Sequence, residues 1–261
     1  MVDWHLGTVG FSYKDWDGVF YPAKTPARSY LAHYSKIFNS VELDSTFYGT
    51  PPPERVKQWA ATVPDGFKFC LKTPRQITHE GRLIEMDGEM LRFLETIQYL
   101  DDKLGAILIQ LPPTFTAIEF DTVSTFLEKL PSALQYAVEF RHPSWFTAET
   151  TLMLGHHQIC WTSTDYMDLP KQVARTSDFL YIRWLGRHGQ FKEKNREQLD
   201  VSLQLEWWWA YIQPHLKQVS TIYGFFNNDY SGHSPATCNR FKSLIGEPFE
   251  RPQLPQQGRL F

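Results

Sequence analysis

The segment YAVEFRHPSW, residues 136–145, begins as a hydrophobic strand and ends in charged side chains. Successive side chains of a strand point to opposite faces, so the bulky apolar residues of YAVEF share one face while Glu139 and Arg141 share the other. An apolar face suits packing beneath helices. The segment therefore predicts a strand of a barrel that directs charge inward near its carboxyl end.

Similar short apolar runs recur along the chain, with helical patterns between them. The eight predicted strands are residues 5–9, 40–43, 67–71, 105–111, 136–140, 158–162, 179–184 and 220–226. The predicted helices are residues 27–38, 53–63, 89–100, 120–130, 200–213 and 235–245. After the sixth predicted strand, residues 163–179 have room for only a short helix, so we expect this segment to be mostly loop.

Eight strands with helical crossovers in 261 residues predict an α/β fold, a single-domain (β/α)8 TIM barrel. An open doubly wound parallel sheet is the alternative. We expect the barrel to occupy residues 1–246 and a proline-rich tail to occupy residues 247–261.

Composition and charge argue against a membrane protein and against a protein that attracts nucleic acid through its overall charge. The chain is 42% hydrophobic, contains no apolar run of membrane-spanning length and lacks a signal-peptide layout, so we expect a cytoplasmic protein with no membrane partner. The net charge of −3 argues against general electrostatic attraction to nucleic acid. Cys70, Cys160 and Cys238 have neither zinc-site nor disulfide spacing and are predicted to be reduced core thiols.

Strand parity directs further polar side chains toward the same end of the barrel. The carboxyl ends of the strands form the barrel mouth, where active sites of this fold lie. The residues predicted to converge there with Glu139 and Arg141 are Glu42, Lys72, Gln110, Arg183 and Asn227.

The cations predict an anionic substrate. Lys72, Arg141 and Arg183 suit a phosphate or carboxylate, and Gln110 and Asn227 would add neutral hydrogen bonds, so all five are predicted to bind substrate. The predicted ligand is an anionic small molecule or nucleic acid.

Glu42 and Glu139 are the predicted catalytic residues. They could act as general acid and base, or share a divalent cation, which is the only cofactor indicated. Alternatively, each glutamate only orients a neighbouring cation. A third reading is a closed salt-bridge network that plugs the barrel, because buried charges must be paired.

Aromatic residues follow several strands at the same face. Tyr48 and Trp145 are predicted to bind substrate by stacking on a base or sugar beside the anion site. The alternative is that such residues anchor loops over the barrel.

Seven ordered segments carry a family resemblance. They are GTVGFSYKDWDGVFYP, FNSVELDSTFYGTPP, GFKFCLKTPRQITHE, LGAILIQLPPTF, AVEFRHPSW, YIRWLGRHG and GFFNNDYSGHSPATCNRF. Together they resemble the signature blocks of the YecE-like family, which carries the domain-of-unknown-function label seventy-two. The resemblance implies a TIM barrel and no settled activity. One departure is Leu185, which stands where the family pattern implies a histidine.

The C-terminal residues QGRLF resemble the Q-x-x-L-F peptide with which bacterial proteins dock on the DNA sliding clamp. Gln257, Leu260 and Phe261 would be the docking residues, with two apolar anchors entering a pocket. A tail packed on its own barrel is the alternative.

Two functions follow from these patterns. The first is an enzyme, a hydrolase acting on phosphate esters at the barrel mouth, with a nucleic acid among the candidate substrates. The second is a noncatalytic binding protein for nucleic acid or the sliding clamp. A glycosidase is disfavoured because three nearby cations would oppose a cationic sugar transition state.

Overall fold

The computed structural model of the protein describes residues 2–250, and within them the strands form one parallel sheet. The strands are β1 (Asp3–Val9), β2 (Ser40–Leu43), β3 (Lys68–Lys72), β4 (Leu104–Gln110), β5 (Tyr136–Glu139), β6 (Cys160–Trp161), β7 (Ser163–Asp165), β8 (Phe179–Trp184) and β9 (Thr221–Phe226). Their order in the sheet is β6-β5-β4-β3-β2-β1-β9-β8-β7.

The sheet curves into a nearly closed barrel. Its two outermost strands, β6 and β7, are separated only by Thr162. The strand predicted at 158–162 contains β6, whereas β7 lies in the segment that was predicted to be mostly loop. The chain changes its hydrogen-bonding neighbour there, since β6 pairs with β5 and β7 pairs with β8. The predicted single-domain (β/α)8 barrel is confirmed, with its sixth strand broken in two.

Helices follow the strands, and most of them cover the outside of the barrel. They are α1 (Tyr30–Tyr34), α2 (Pro53–Thr62), α3 (Asp87–Ile97), α4 (Phe120–Glu128), α5 (Ala148–His156), α6 (Ser202–Ile212), α7 (Asn228–Ser231) and α8 (Ser234–Ile245). Of the segment 163–179, which was predicted to be mostly loop, residues 166–178 form the loop between β7 and β8, and Ser163–Asp165 form β7. The helix α5 was not predicted from the sequence. It begins after Thr147, whose hydroxyl accepts a hydrogen bond from the backbone N–H of Thr150.

The core has two layers that follow strand parity. A large cluster of aliphatic and aromatic side chains, including Val138 and Phe140, lies between the strands and the helices. A smaller cluster fills the barrel interior, where Ala137 and Cys70 make room for the rings of Tyr181 and Phe225. Charged side chains lie above this inner cluster, at the carboxyl ends of the strands.

Two further predictions concern the described residues. Cys70, Cys160 and Cys238 are buried and unpaired with one another, as predicted for core thiols. Between residues 2 and 250, no helix has the length and apolar character needed to cross a membrane. The predicted clamp-binding residues Gln257, Leu260 and Phe261 lie outside the described part of the chain.

Candidate functional site

A network of buried charges lies directly beneath the barrel mouth, with Arg183 at its centre. Arg183 Nη2 lies 2.6 Å from Glu42 Oε1 and its Nε lies 2.8 Å from Glu42 Oε2, so two parallel hydrogen bonds join the two side chains. Arg183 Nη1 donates to Glu139 Oε2 at 2.5 Å. The guanidinium therefore joins carboxylates from β2 and β5.

A second arginine completes the pairing of Glu139. Arg141 donates through Nε to Glu139 Oε1, and the Glu139 side chain is fully buried. Burial alone would raise the pKa of Glu139, but the charges of Arg141 and Arg183 outweigh it and lower the pKa to about 2. Glu139 is therefore ionised at neutral pH and holds no proton to donate.

Glu42 also has a neutral partner, Tyr181. The phenol of Tyr181 donates to Glu42 Oε2 at 2.9 Å, and burial followed by the Glu42 charge raises the pKa of that phenol. Each oxygen of Glu42 and of Glu139 thus accepts at least one hydrogen bond. Both glutamates are thus paired with arginines, and each of their oxygens is occupied by a hydrogen bond.

Above this network the barrel mouth opens into a cavity of about 240 Å³. The cavity is lined by Val9, Asp44, Lys72, Arg141, Tyr166, Arg183, Leu185, Gly186, His188, Asn227 and Asp229. Four of the predicted substrate-binding residues, Lys72, Arg141, Arg183 and Asn227, are therefore brought together. The charges do not form a fully closed plug, because the cavity reaches solvent.

Lys72 ends β3 and extends into this cavity. Within residues 2–250 its ammonium group has no hydrogen-bond acceptor or carboxylate in contact, and Nζ lies 3.7 Å from the centroid of the Phe47 ring. Burial, followed by the positive charge of Arg183, lowers the pKa of Lys72 to about 8. Its donors are available to a ligand.

Arg141 and Asn227 also offer unused donors. The Arg141 guanidinium lies over the Tyr166 ring at 3.8 Å, and only its Nε is hydrogen-bonded among the described residues, so both terminal amino groups remain available. Asn227 uses its carbonyl oxygen to accept from the Asp229 backbone N–H at 2.9 Å, which leaves its amide N–H groups for another partner.

Two carboxylates of the cavity were missed by the sequence analysis. Asp44 directly follows β2 and is half-buried, and its carboxylate has no hydrogen bond to any described residue. It has the same strand parity as Glu42, which is the signal that could have identified it. Asp229 is 3% exposed and accepts from the Gly189 backbone N–H at 3.0 Å.

Gln110 and Tyr48 lie apart from the cavity. Gln110 is buried, and its amide donates to the backbone oxygen of Leu111 at 2.5 Å. Tyr48 is 79% exposed and lines a neighbouring groove of about 160 Å³ together with Phe47 and Arg75. Phe47 separates this groove from Lys72, so Tyr48 lies beside the mouth rather than inside it.

Trp145 requires a correction. It was predicted to stack on substrate, but it is fully buried, and its ring stacks on Phe140 with a centroid distance of 4.3 Å. Its indole N–H donates to the backbone oxygen of Phe115 at 2.8 Å. The short turn at Pro143–Trp145 places the ring under the loop, so Trp145 is a loop anchor.

The hypothesis of a divalent cation between the glutamates is also corrected. Arg183 lies between Glu42 and Glu139 and bonds to both. Elsewhere in the described chain, no three His, Cys, Asp or Glu side chains are grouped so that they could hold a metal ion.

Comparison with protein families gives one match across nearly the whole chain. A family model described as "Protein of unknown function DUF72" matches residues 5–259. UPF0759 protein YecE of Escherichia coli K12 is 38% identical over 260 residues, which cover 88% of this chain and 92% of the relative. UPF0759 protein YunF of Bacillus subtilis is 26% identical and covers 92% of this chain and 94% of its own.

Solved structures show the same architecture. A DUF72 family protein of Thermotoga maritima superposes with a TM-score of 0.82 at 29% sequence identity, over 94% of this chain and all of the other. A DUF72 family protein of Enterococcus faecalis gives a TM-score of 0.74 at 20% identity, over 95% of this chain and 99% of the other. The second likeness concerns the fold alone.

Proposed function

The chain belongs to the DUF72 family, and from this premise we propose that its barrel mouth binds a small phosphate-bearing substrate on which the protein acts as an enzyme. The observation that carries the proposal is the set of unused donors in one cavity. Lys72 Nζ and the terminal amino groups of Arg141 line the cavity of about 240 Å³ without a carboxylate bound to them among the described residues.

The charge distribution supports an anion at this place. Glu42 and Glu139 compensate Arg183 and one side of Arg141 from below, so their negative charge is already paired. Lys72 and the outer side of Arg141 are not paired in this way. Arginine offers two parallel N–H donors that match phosphate oxygens, and the Asn227 amide adds a neutral donor.

The glutamates have a positioning role in this proposal. A general acid or base needs a free oxygen within reach of the substrate, and the oxygens of Glu42 and Glu139 are hydrogen-bonded below the cavity. Asp44 is the carboxylate that lines the cavity without a partner in the described chain. We assign the acid–base role to Asp44.

The size of the cavity supports a small molecule or a single exposed nucleotide over a stretch of duplex. The phosphate would be the group by which the substrate is held. Hydrolysis of the phosphate ester is one reaction at such a site, and chemistry elsewhere on the substrate is another.

A binding protein without turnover is the second candidate. The observation in its favour is the saturation of both buried glutamates, which removes the two most deeply placed carboxylates from chemistry. A phosphate-bearing compound that binds at the mouth and leaves unchanged after prolonged incubation would support this candidate.

Calorimetric titration with inorganic phosphate and with glycerol phosphate tests the proposal. We expect Arg141→Met to weaken binding about tenfold or more, because a charge-assisted hydrogen bond contributes about 1.5–3 kcal/mol. The matched control is Arg92→Met, since Arg92 is exposed on α3 and pairs only with Glu89 there. Equal binding by wild type and Arg141→Met, or no binding by either, would refute an anion site at the mouth.

A further inference from the structure

Lys72 differs from the other cations of the barrel mouth in its surroundings. Arg183 contacts two carboxylates and Arg141 contacts one. Lys72, in contrast, faces the Phe47 ring and contacts no carboxylate within residues 2–250. Among the charged groups around it, the guanidinium of Arg183 has the largest effect on the pKa of Lys72 and disfavours the ammonium form.

The environment of Lys72 increases the share of free amine near neutral pH. Burial first, and the Arg183 charge second, lower the pKa of Lys72 to about 8. At that pH about half of the Lys72 side chains carry an unprotonated nitrogen, whereas an ordinary lysine is almost entirely protonated. A desolvated amine next to a cationic group is the arrangement that activates lysine as a nucleophile.

We propose that Lys72 forms an imine with the carbonyl carbon of an aldehyde or ketone that bears a phosphate group. This deepens the proposed function and rests on it, because the phosphate would be held by Arg141 while the carbonyl meets Nζ. The substrate class is a small carbonyl phosphate.

The covalent step uses groups of the cavity, the substrate and a proton from solvent. The Nζ lone pair attacks the carbonyl carbon, a C–N bond forms as the C=O π bond opens, and one proton moves from the nitrogen to the oxygen to give a neutral carbinolamine. A second proton, supplied by solvent, protonates the hydroxyl group. The C–O bond then breaks, the oxygen leaves as water, and the nitrogen retains one hydrogen in the protonated imine. Asp44, on the neighbouring strand end, is placed in the same cavity to carry the protons.

An arginine-rich surrounding suits this step. Guanidinium groups stay protonated throughout, so Arg141 holds phosphate without competing for the proton that moves. The Phe47 ring, 3.7 Å from Nζ, shields one side of the amine from water.

Reductive trapping tests the imine. Wild-type protein is incubated with dihydroxyacetone phosphate or glyceraldehyde 3-phosphate and sodium cyanoborohydride, and adducts are located by peptide mass mapping. We expect one dominant adduct on Lys72, formed at least tenfold faster than with the unphosphorylated compounds, and slowed by inorganic phosphate. The trapping rate should rise with pH through about pH 8, as the amine loses its proton.

A matched lysine provides the control. Lys68 lies on β3 with the same strand parity as Lys72, and its ammonium donates to the backbone oxygen of Asp102. Lys72→Met should abolish the dominant adduct, whereas Lys68→Met should leave it unchanged. Adducts spread evenly over surface lysines, or an equal rate without the phosphate group, would overturn the proposal.

Calorimetric titration of the same wild-type sample with inorganic phosphate distinguishes failure of the imine proposal from failure of the anion site. Phosphate binding without an adduct on Lys72 would overturn the imine and leave the anion site standing. Absence of both would overturn the proposed function as well.

Discussion

Arg183 is bound to Glu42 through two of its nitrogens, with Nη2–Oε1 at 2.6 Å and Nε–Oε2 at 2.8 Å. Both side chains are at least 96% buried, so little of either charge is open to water. This ion pair forms the inner end of the mouth cavity, which Lys72 and Arg141 also line.

Removal of the Arg183 charge should destabilise the fold. Arg183→Met leaves Glu42 without its ionic partner and Glu139 with one fewer, and breaking a buried pair in this way costs about 3–5 kcal/mol. The free energy of unfolding in urea at pH 7 measures the effect. Arg196→Met is the control, because its exposed pair with Glu193 should change stability by less than about 0.5 kcal/mol. A loss below about 1 kcal/mol for Arg183→Met would contradict the network.

Glu139 should make stability depend on pH in the acid range. Its pKa falls from 4.5 in the unfolded chain to about 2 in the folded protein, so the unfolded state binds the proton first as pH decreases. The stabilisation by Glu139 is therefore complete above about pH 4.5 and is lost as pH falls toward 2.

The variant Glu139→Gln tests this pH dependence of stability directly. We expect the variant to be less stable than wild type at pH 7 and the difference to shrink between pH 4.5 and pH 2, as measured by urea unfolding at several pH values. Glu193→Gln, at an exposed pair, serves as the control. A difference that stays constant over this range would show that Glu139 does not titrate as described.

The two aromatic residues singled out in the sequence should behave in opposite ways. Trp145→Ala should cost about 3–5 kcal/mol of unfolding free energy, because it empties a fully buried site. Tyr48→Ala should change stability by less than about 0.5 kcal/mol, since the side chain is 79% exposed. Thermal and urea unfolding of both variants provide the comparison. Equal effects would mean that the loop anchor was wrongly assigned.

Docking of the C-terminal residues on a bacterial DNA sliding clamp remains a prediction from the sequence. We expect the full-length protein to bind purified clamp in a surface-based binding assay. Leu260→Ala combined with Phe261→Ala should lose at least tenfold in affinity, whereas Arg259→Ala should retain binding within about threefold, because the apolar anchors carry the contact. Unchanged binding by the double variant, or none by wild type, would refute the docking motif.

Strand parity predicted much of this site. Period-two alternation placed Glu42, Glu139 and Arg183 inside the barrel, and the carboxyl ends of parallel strands necessarily meet at one mouth. The break of the sixth strand at Thr162 was not predictable in the same way, because it depends on which neighbour each half pairs with.

The sequence could not predict which of the buried charged side chains form ion pairs with one another. Parity shows which side chains share the interior, but whether Arg183 bonds to Glu42 or faces a ligand depends on distances across the barrel. The placement of Trp145 depends on the direction of a short turn after β5. Asp44, in contrast, continued the parity of Glu42 and was predictable from the residues alone.

A crystal soaked with tungstate, a tetrahedral oxyanion with strong anomalous scattering, tests the anion site most directly. We predict an anomalous peak in the mouth cavity whose oxygens lie about 3 Å from Lys72 Nζ and the terminal nitrogens of Arg141. A cavity without the peak, with tungstate bound only at other surfaces, would contradict the proposed function.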